Sequence, residues 1–434
     1  MSHSHRFGSK RWTAFLTLAV TLGLACAGKA TPPSAPPQAG PGTTAVASGS
    51  ATASADPPLP MDPNAQVTVL PNGIRTYIRK HGEPQKRASL RLVINAGSVL
   101  EEEKERGLAH FVEHMAFNGT RLFAKQEIVN FIESAGMRFG QHANAFTSFD
   151  ETAYTFEVPT TDPALFEKAF SMMQQMAAEV SFDPAEVNRE RGVVIEEWRL
   201  GRGAQMRILE QLFPVLFAKS RYAERLPIGT KAVLEKATAD DLRAFYKRWY
   251  RPDLMAVIAV GDFDIATVQA HIKKYFAPIA PVPNAPPRPL YPVPDHSETL
   301  VSIAKDKELT ATSAGIIYKL PARGQSSKRD YRRSIVERLY HNMVNARLEE
   351  LSRDKDPPFL GAGSGTQSFV RTKDVFLQFA ATKADGVPRA LQALTREIER
   401  VDRHGFTAGE LDREKAAFLR FMERAVLEKD KTPS

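Results

Sequence analysis

Residues 182–191, FDPAEVNRER, return in altered form at 406–415 as FTAGELDREK: phenylalanine, glutamate, an aliphatic, an acid or amide, arginine, glutamate and a base recur in register. Each stretch follows a segment patterned as a helix, 163–179 in the first case and about 387–403 in the second. Each also lies downstream of an alternating, strand-like run, LRLVINAG (90–97) and SAGIIYKL (313–320). A chain that repeats one supersecondary unit folds as copies of that unit. The expected class is therefore α+β: a tandem pair of homologous modules, each an antiparallel-rich sheet covered by helices.

Apolar patterning sets the boundaries. The first module is expected at 64–276 and the second at 299–434, with a proline-dense linker of limited flexibility at 277–298. Residues 28–63 are mostly Ala, Pro, Ser, Gly and Thr, with almost nothing to bury, and are expected to be a disordered tether. Before it, Arg6, Lys10 and Arg11 precede an apolar run from Trp12 to Ala25, and no acidic residue occurs before Asp56. That layout, 1–27, is that of a secretory signal and is too short for a membrane span. Ala25-Cys26-Ala27 offers a small-x-small cleavage site. Cys26 also offers a lipid anchor, although Gly23 stands where a leucine is expected three residues earlier. The expected location is periplasmic or secreted, with an outer-membrane lipoprotein as the variant and a mitochondrial transit peptide as the lesser alternative. Contact with a membrane is expected only through Cys26.

Cys26 is the sole cysteine, so the folded part has neither a disulfide nor a thiolate metal site, and any ion must be held by His, Asp or Glu. The net charge of +8 is spread along the chain without a long basic run interleaved with aromatics, which argues against a nucleic-acid partner.

Within the first module, GLAHFVEHMAFNGT (107–120) reads as a helix from about Leu108 that stops at Asn118-Gly119. KQEIVNFIESAG (125–136) reads as a second helix ended by Gly136. ANAFTSF (143–149) and TAYTFEV (152–158) read as adjacent antiparallel strands. Asp183-Pro184 opens a later helix, with Glu186 placed to complete a capping box. His110 and His114, four apart, share a face of the first helix and can hold one ion between them, while Glu113 lies on the neighbouring edge. This is the inverted zincin arrangement. Neutral imidazole suits zinc, a third carboxylate ligand leaves a position for water, and a carboxylate beside the ion can take that water's proton. The pattern would occur by chance in about 1–2% of chains this long. A single histidine on an apolar helix is usually a satisfied core or surface residue. Here Leu108, Phe111, Val112, Met115 and Phe117 already supply packing, so burying three ionisable groups beside them for stability alone would be costly. A third ligand must come from elsewhere. Glu190 and Glu197, two helical turns apart, share a face of the segment 188–199, and Glu196 points about 100° away. Spacing alone does not choose between Glu190 and Glu197.

HFVEHMAFNGT, NAFTSFDETAY and FDPAEVNRERGVVIEEW, in that order, resemble the pitrilysin/insulinase family of zinc metallopeptidases. The resemblance runs from Val67 to the C-terminus and is to the N-terminal half of a long periplasmic bacterial member. It implies one Zn2+ per chain, held by His110, His114 and Glu197. It also implies Glu113 as general base, with Glu190 as a supporting acid behind the ligands. Asn144, Ala145 and Phe146 would lie on an edge strand that pairs with a peptide backbone, against the plainer readings of Asn144 as a turn residue and Phe146 as core.

The implied activity is zinc-dependent endopeptidase cleavage of unfolded peptides or small proteins. Complete family enzymes have four such modules, on one chain or two, and the later half supplies an arginine and a tyrosine to the substrate. Only the zinc-bearing half is expected here, either truncated or working with a partner that supplies them. Arg332, Arg333 and Tyr340 carry no motif that assigns them that role. The competing expectations are a non-catalytic subunit for protein binding or assembly, and a zinc hydrolase acting on a non-peptide amide.

Overall fold

Period-two burial dictates the sheets. Along residues 87–94, Ala88, Leu90, Leu92 and Ile94 are buried while Arg91 is exposed, the alternation of a strand with one face on a core. The computed structural model describes residues 56–433. The signal-like segment 1–27 with Cys26, and residues 28–55 of the expected tether, lie outside the described residues. The described chain divides into two compact units: 62–308 with 425–433, and 309–424 with 56–61.

The first unit runs through β1 (Ala65–Val69), β2 (Arg75–Lys80), β3 (Arg87–Ile94), α1 (Leu108–Met115), α2 (Lys125–Ser134), β4 (Ala143–Thr147) and β5 (Thr152–Pro159). It continues through α3 (Pro163–Ala178), α4 (Pro184–Gly201), α5 (Ala204–Leu216), α6 (Lys231–Leu234), α7 (Ala239–Trp249), β6 (Met255–Gly261) and α8 (Ile265–Phe276). Its strands form one sheet in the order β1-β2-β6-β3-β5-β4, antiparallel except for β2 with β6. Helix α1 packs on β4 and β5 and is flanked by α4 and α7. Its eight residues are all buried.

The second unit contains β7 (Thr312–Pro321), α9 (Lys328–Ser352), β8 (Gly361–Val370), β9 (Lys373–Thr382), α10 (Val387–His404) and most of α11 (Ala408–Glu428). Its antiparallel sheet has the order β7-β9-β8, matching β3-β5-β4 in the first unit, with the last of the three strands in the middle. Val344, Leu348, Phe359, Ala380, Ala390 and Leu394 form its core. The chain is α+β, and the two units repeat one strand order.

Three local expectations need correction. Residues 277–298, expected as a linker of limited flexibility between modules, are tied to the first unit. Asn72 Nδ2 donates to the Ile279 carbonyl at 2.9 Å, and Arg288 reaches the Asn95 carbonyl at 2.8 Å and the Asp150 carboxylate at 2.9 Å. Val293 is buried, so the segment is a strap on the first unit, and the division falls after Glu308. The end of the tether is also tied down: Leu59 N–H donates to the Ser326 carbonyl and Lys328 N–H to that of Pro57, at 2.8 and 3.0 Å. Glu186 completes no capping box. Asp183 alone accepts from Ala185 and Glu186 N–H, and the Glu186 carboxylate pairs with Arg189 and Lys125 instead.

Candidate metal centre

Helix α1 begins where the backbone must turn sharply. Gly107 has φ +108°, a conformation open to glycine, and a Cβ there would press on Leu234 and on the backbone of Gly229. No side chain at Gly107 caps the helix. Glu101 does so from six residues earlier, its two oxygens accepting from Gly107 N–H at 3.0 Å and Ala109 N–H at 2.8 Å. Burial pushes the Glu101 carboxyl up to about 8, against those two amides and Arg225. At the other end, Asn118 Nδ2 donates to the His114 carbonyl at 2.9 Å. The helix is thus held at both ends by buried polar contacts.

Between those ends the helical period brings His110 Nε2 and His114 Nε2 to 3.2 Å of each other. Helix α4 supplies the acids. Glu197 Oε2 lies 3.3 Å from His114 Nε2 and 3.8 Å from His110 Nε2, whereas Glu190 Oε1 meets the far nitrogen of His114, Nδ1, at 2.9 Å. Glu196 turns outward to Arg199. The two acids that spacing leaves equivalent therefore take different places: Glu197 beside both Nε2 atoms, Glu190 behind one ring.

The donor atoms of His110, His114 and Glu197 all lie within 4.8 Å of one another. Tetrahedral zinc with bonds of 2.0–2.2 Å needs ligand atoms about 3.3–3.6 Å apart, and the separations found, 3.2, 3.3 and 3.8 Å, bracket that range. Two imidazoles and one carboxylate leave a coordination position for water, so the donor set fits a catalytic zinc. Glu190 fits the carboxylate that orients a ligating imidazole through its other nitrogen.

The electrostatics agree with a cation site. Burial would push Glu197 up, but the two imidazoles outweigh it and hold the carboxyl down to about 2. Glu190 is likewise held low by His114 against its burial. For His114, burial would lower the pKa, yet hydrogen bonds to Glu190 and Glu197 drive it up to about 10; burial takes His110 down to about 4. With only protons to share, the cluster keeps one on His114. The excess negative charge that holds it there would equally hold a divalent ion. Glu113, also buried, is pushed up to about 7 by desolvation, against His114 and a hydrogen bond from Thr147 Oγ1 at 2.5 Å.

β4 ends the sheet. Ser148 N–H bonds to the Glu151 carbonyl and Glu157 N–H to that of His142, so by antiparallel alternation the main-chain groups of Ala145 and Thr147 face the open edge, while those of Ala143 are taken by the Arg138 carbonyl and Gly140 N–H. Asn144 Oδ1 accepts from Ala145 N–H at 3.0 Å, and Phe146 is exposed rather than core. Arg333 is engaged by Asp330 and the Gly324 carbonyl, and Tyr340 packs edge-on to Phe406.

Two family models match this chain: insulinase (peptidase family M16) over residues 77–214, and the peptidase M16 inactive domain over 236–418. The chain is 36% identical to the zinc protease PQQL-like of Arabidopsis thaliana, over 84% of this chain and 35% of that protein. It is 32% identical to the probable zinc protease PqqL of Escherichia coli, over 85% and 40%. It matches the solved first half of the periplasmic protease PqqL from Escherichia coli with a TM-score of 0.77 at 30% identity, covering 86% of this chain and 80% of that one. The chain belongs to the insulinase (M16) family. It spans about two fifths or less of the curated M16 relatives named here and aligns with the first half of PqqL.

Sequence reasoning missed three residues at this M16 site: Thr147, Glu101 and Lys125, whose Nζ lies 3.7 Å from Glu190 Oε2. Thr147 was within reach, because period two from the buried Ala143 places it on the inward face of β4. Lys125 and Glu101 reach their partners through tertiary packing and carry no local signal.

Proposed function

We propose that this chain is the zinc-bearing unit of an endopeptidase that cuts unfolded peptides or small proteins. The observation that carries the reading is the separation of tasks around α1. Three donors fit one ion, while a fourth ionisable group, the buried carboxyl of Glu113, adjoins the cluster without belonging to the donor set. A structural site has no need of that fourth group. His110, His114 and Glu197 are the proposed ligands of a single Zn2+, and Glu190 holds the His114 ring in place.

A zinc ion there supplies Lewis-acid chemistry, acidifying water and polarising a peptide carbonyl. Glu113 takes the proton of the attacking water and returns it to the leaving amine, a task for a carboxyl whose burial makes it more basic than usual. The peptide lies along the open edge of β4, where Ala145 offers its N–H and C=O once the Asn144 side chain gives way. Asn144 and Phe146 flank it.

The natural setting proposed is periplasmic or secreted, following the signal-like segment and the periplasmic PqqL of Escherichia coli. Anchoring through Cys26 is the variant. Among the described residues no helix is long and apolar enough to cross a membrane.

A second reading has its own support. The chain aligns with the first half of PqqL, so a homologous second half or subunit would bring the arginine and tyrosine that steady the reacting carbonyl. The test is hydrolysis of a mixed pool of unstructured peptides by the full chain, with Glu113→Gln beside it and zinc content measured for both. Cleavage by the parent, lost in the variant at unchanged zinc content, is expected. Equal silence from both with zinc bound favours the half-enzyme or a binding subunit. Cleavage undiminished by the substitution overturns the assignment of Glu113.

A further inference from the structure

Thr147 is the last residue of β4, and its hydroxyl meets Glu113 Oε2 at 2.5 Å. Both side chains are buried. In the ionised form that acts as base the carboxylate has no proton to give, so the threonine is the donor. The neighbouring hydroxyl does not compete. Thr152, opposite Thr147 in the strand register, commits its own proton to the Ala96 carbonyl at 3.0 Å, and its oxygen stands 3.4 Å from Thr147 Oγ1. Among the described residues, Thr147 is the side chain that hydrogen-bonds the Glu113 carboxylate. A glutamate with three torsions has many ways to point, and this one bond removes most of them.

We infer that Thr147 is a positioning residue: its hydroxyl fixes the Glu113 carboxylate to the strand that receives the peptide. The inference rests on the peptidase reading above and adds a residue to it. Ala145, whose main chain faces the open edge, and Thr147 are two residues apart, about 7 Å along the strand. Peptide register and base orientation are therefore set by one rigid element, and an error in either moves both. The plainer role of Thr147 is to satisfy a buried carboxylate and so stabilise the unit. The two roles differ in what removal of the hydroxyl does to turnover.

The experiment uses the full zinc-loaded chain carrying Thr147→Val, Thr147→Ala or Thr147→Ser, with kcat, KM, zinc content and thermal midpoint read for each. Two variants lacking the hydroxyl are read together so that a packing fault in one is not taken for loss of the bond. Val and Ala are expected to lower kcat about 10- to 100-fold at little-changed KM and zinc content, with Ser restoring most of it. Crystal structures of the zinc-loaded parent and Val variant give a second readout. The Glu113 carboxylate is expected in one rotamer in the parent and rotated or spread over several in the variant. A fall in thermal midpoint with kcat and rotamer unchanged overturns the inference, as does a loss confined to zinc content or KM. Should the parent chain hydrolyse nothing, what fails is independent activity of this chain, and the rotamer still decides. A displaced Glu113 upholds the positioning role, and an undisturbed one overturns it.

Discussion

Helix α1 lies under β4 with two histidines four residues apart, and α9 lies under β8 with a histidine and an asparagine four apart, His341 and Asn345. The second pair is closed off by hydroxyls and backbone. His341 Nδ1 and Nε2 meet Ser364 Oγ at 2.9 Å and Thr366 Oγ1 at 3.1 Å, its ring stacks on Phe376, and Asn345 exchanges two hydrogen bonds with the Ser364 main chain. The first pair faces carboxylates from α4 instead. Hydroxyls satisfy an imidazole and leave no charge over, whereas carboxylates leave a negative excess that a proton or a cation must balance. The second unit also keeps acids next to this region, Glu397 and Glu410, but there a resident guanidinium, Arg347, sits between them at 3.0 and 2.5 Å. One scaffold thus neutralises its acids with a guanidinium in one unit and turns them on a histidine pair in the other.

The largest effect expected from breaking this contrast is on turnover. Glu113→Gln should lower peptide hydrolysis by about 10²- to 10⁴-fold with metal content unchanged, measured by steady-state kinetics and elemental analysis. Removing the resident cation comes next. Arg347→Leu leaves the buried Glu397 with only the exposed Arg400, at 3.5 Å, and should cost up to about 3–5 kcal/mol in the second unit, read by calorimetry of the full chain, while zinc content stays at the parent level. A smaller loss, about 1–3 kcal/mol, is expected for His341→Leu, which strands the Ser364 and Thr366 hydroxyls; a fall in bound zinc instead would show that His341 serves the metal after all.

The most gradual effect concerns pH and sharpens the comparison from the first unit's side. The folded Glu101 carboxyl stands near 8 against an ordinary value of 4.5, so the folded state holds its proton more tightly than the unfolded chain does. The stability this contributes is full below about 4.5 and is lost as pH rises to about 8, with a slope of at most about 1.4 kcal/mol per pH unit. Denaturant titrations in chelator across that range should show the decline, and Glu101→Gln should flatten it. An unchanged slope in that variant would assign the pH dependence to another group.

How much of this was legible depended on distance along the chain. The repeat at 182–191 and 406–415, the alternation of β3 and β7, and the helix start at Asp183 all act within a few residues, and the structure has each of them. The strap at 277–298 was not legible, because its partners are a buried arginine, an asparagine and an aspartate from other parts of the first unit.

The sequence by itself determined that His110 and His114 share a face and that Glu113 does not, since the helical period is a property of the backbone alone. It also left Glu190 and Glu197 equivalent, two turns apart on one face. The family resemblance favoured Glu197 as the ligand, and the tertiary structure supplied the geometry, with Glu197 beside both Nε2 atoms and Glu190 behind one ring. Glu190 lies 76 residues from the histidine it touches, and which nitrogen each acid meets depends on how α4 docks against α1. Docking is fixed by side-chain packing over the whole contact rather than by any local pattern. Thr147 stands between these cases: its inward face was written in the strand period, and its partner was written only in the fold.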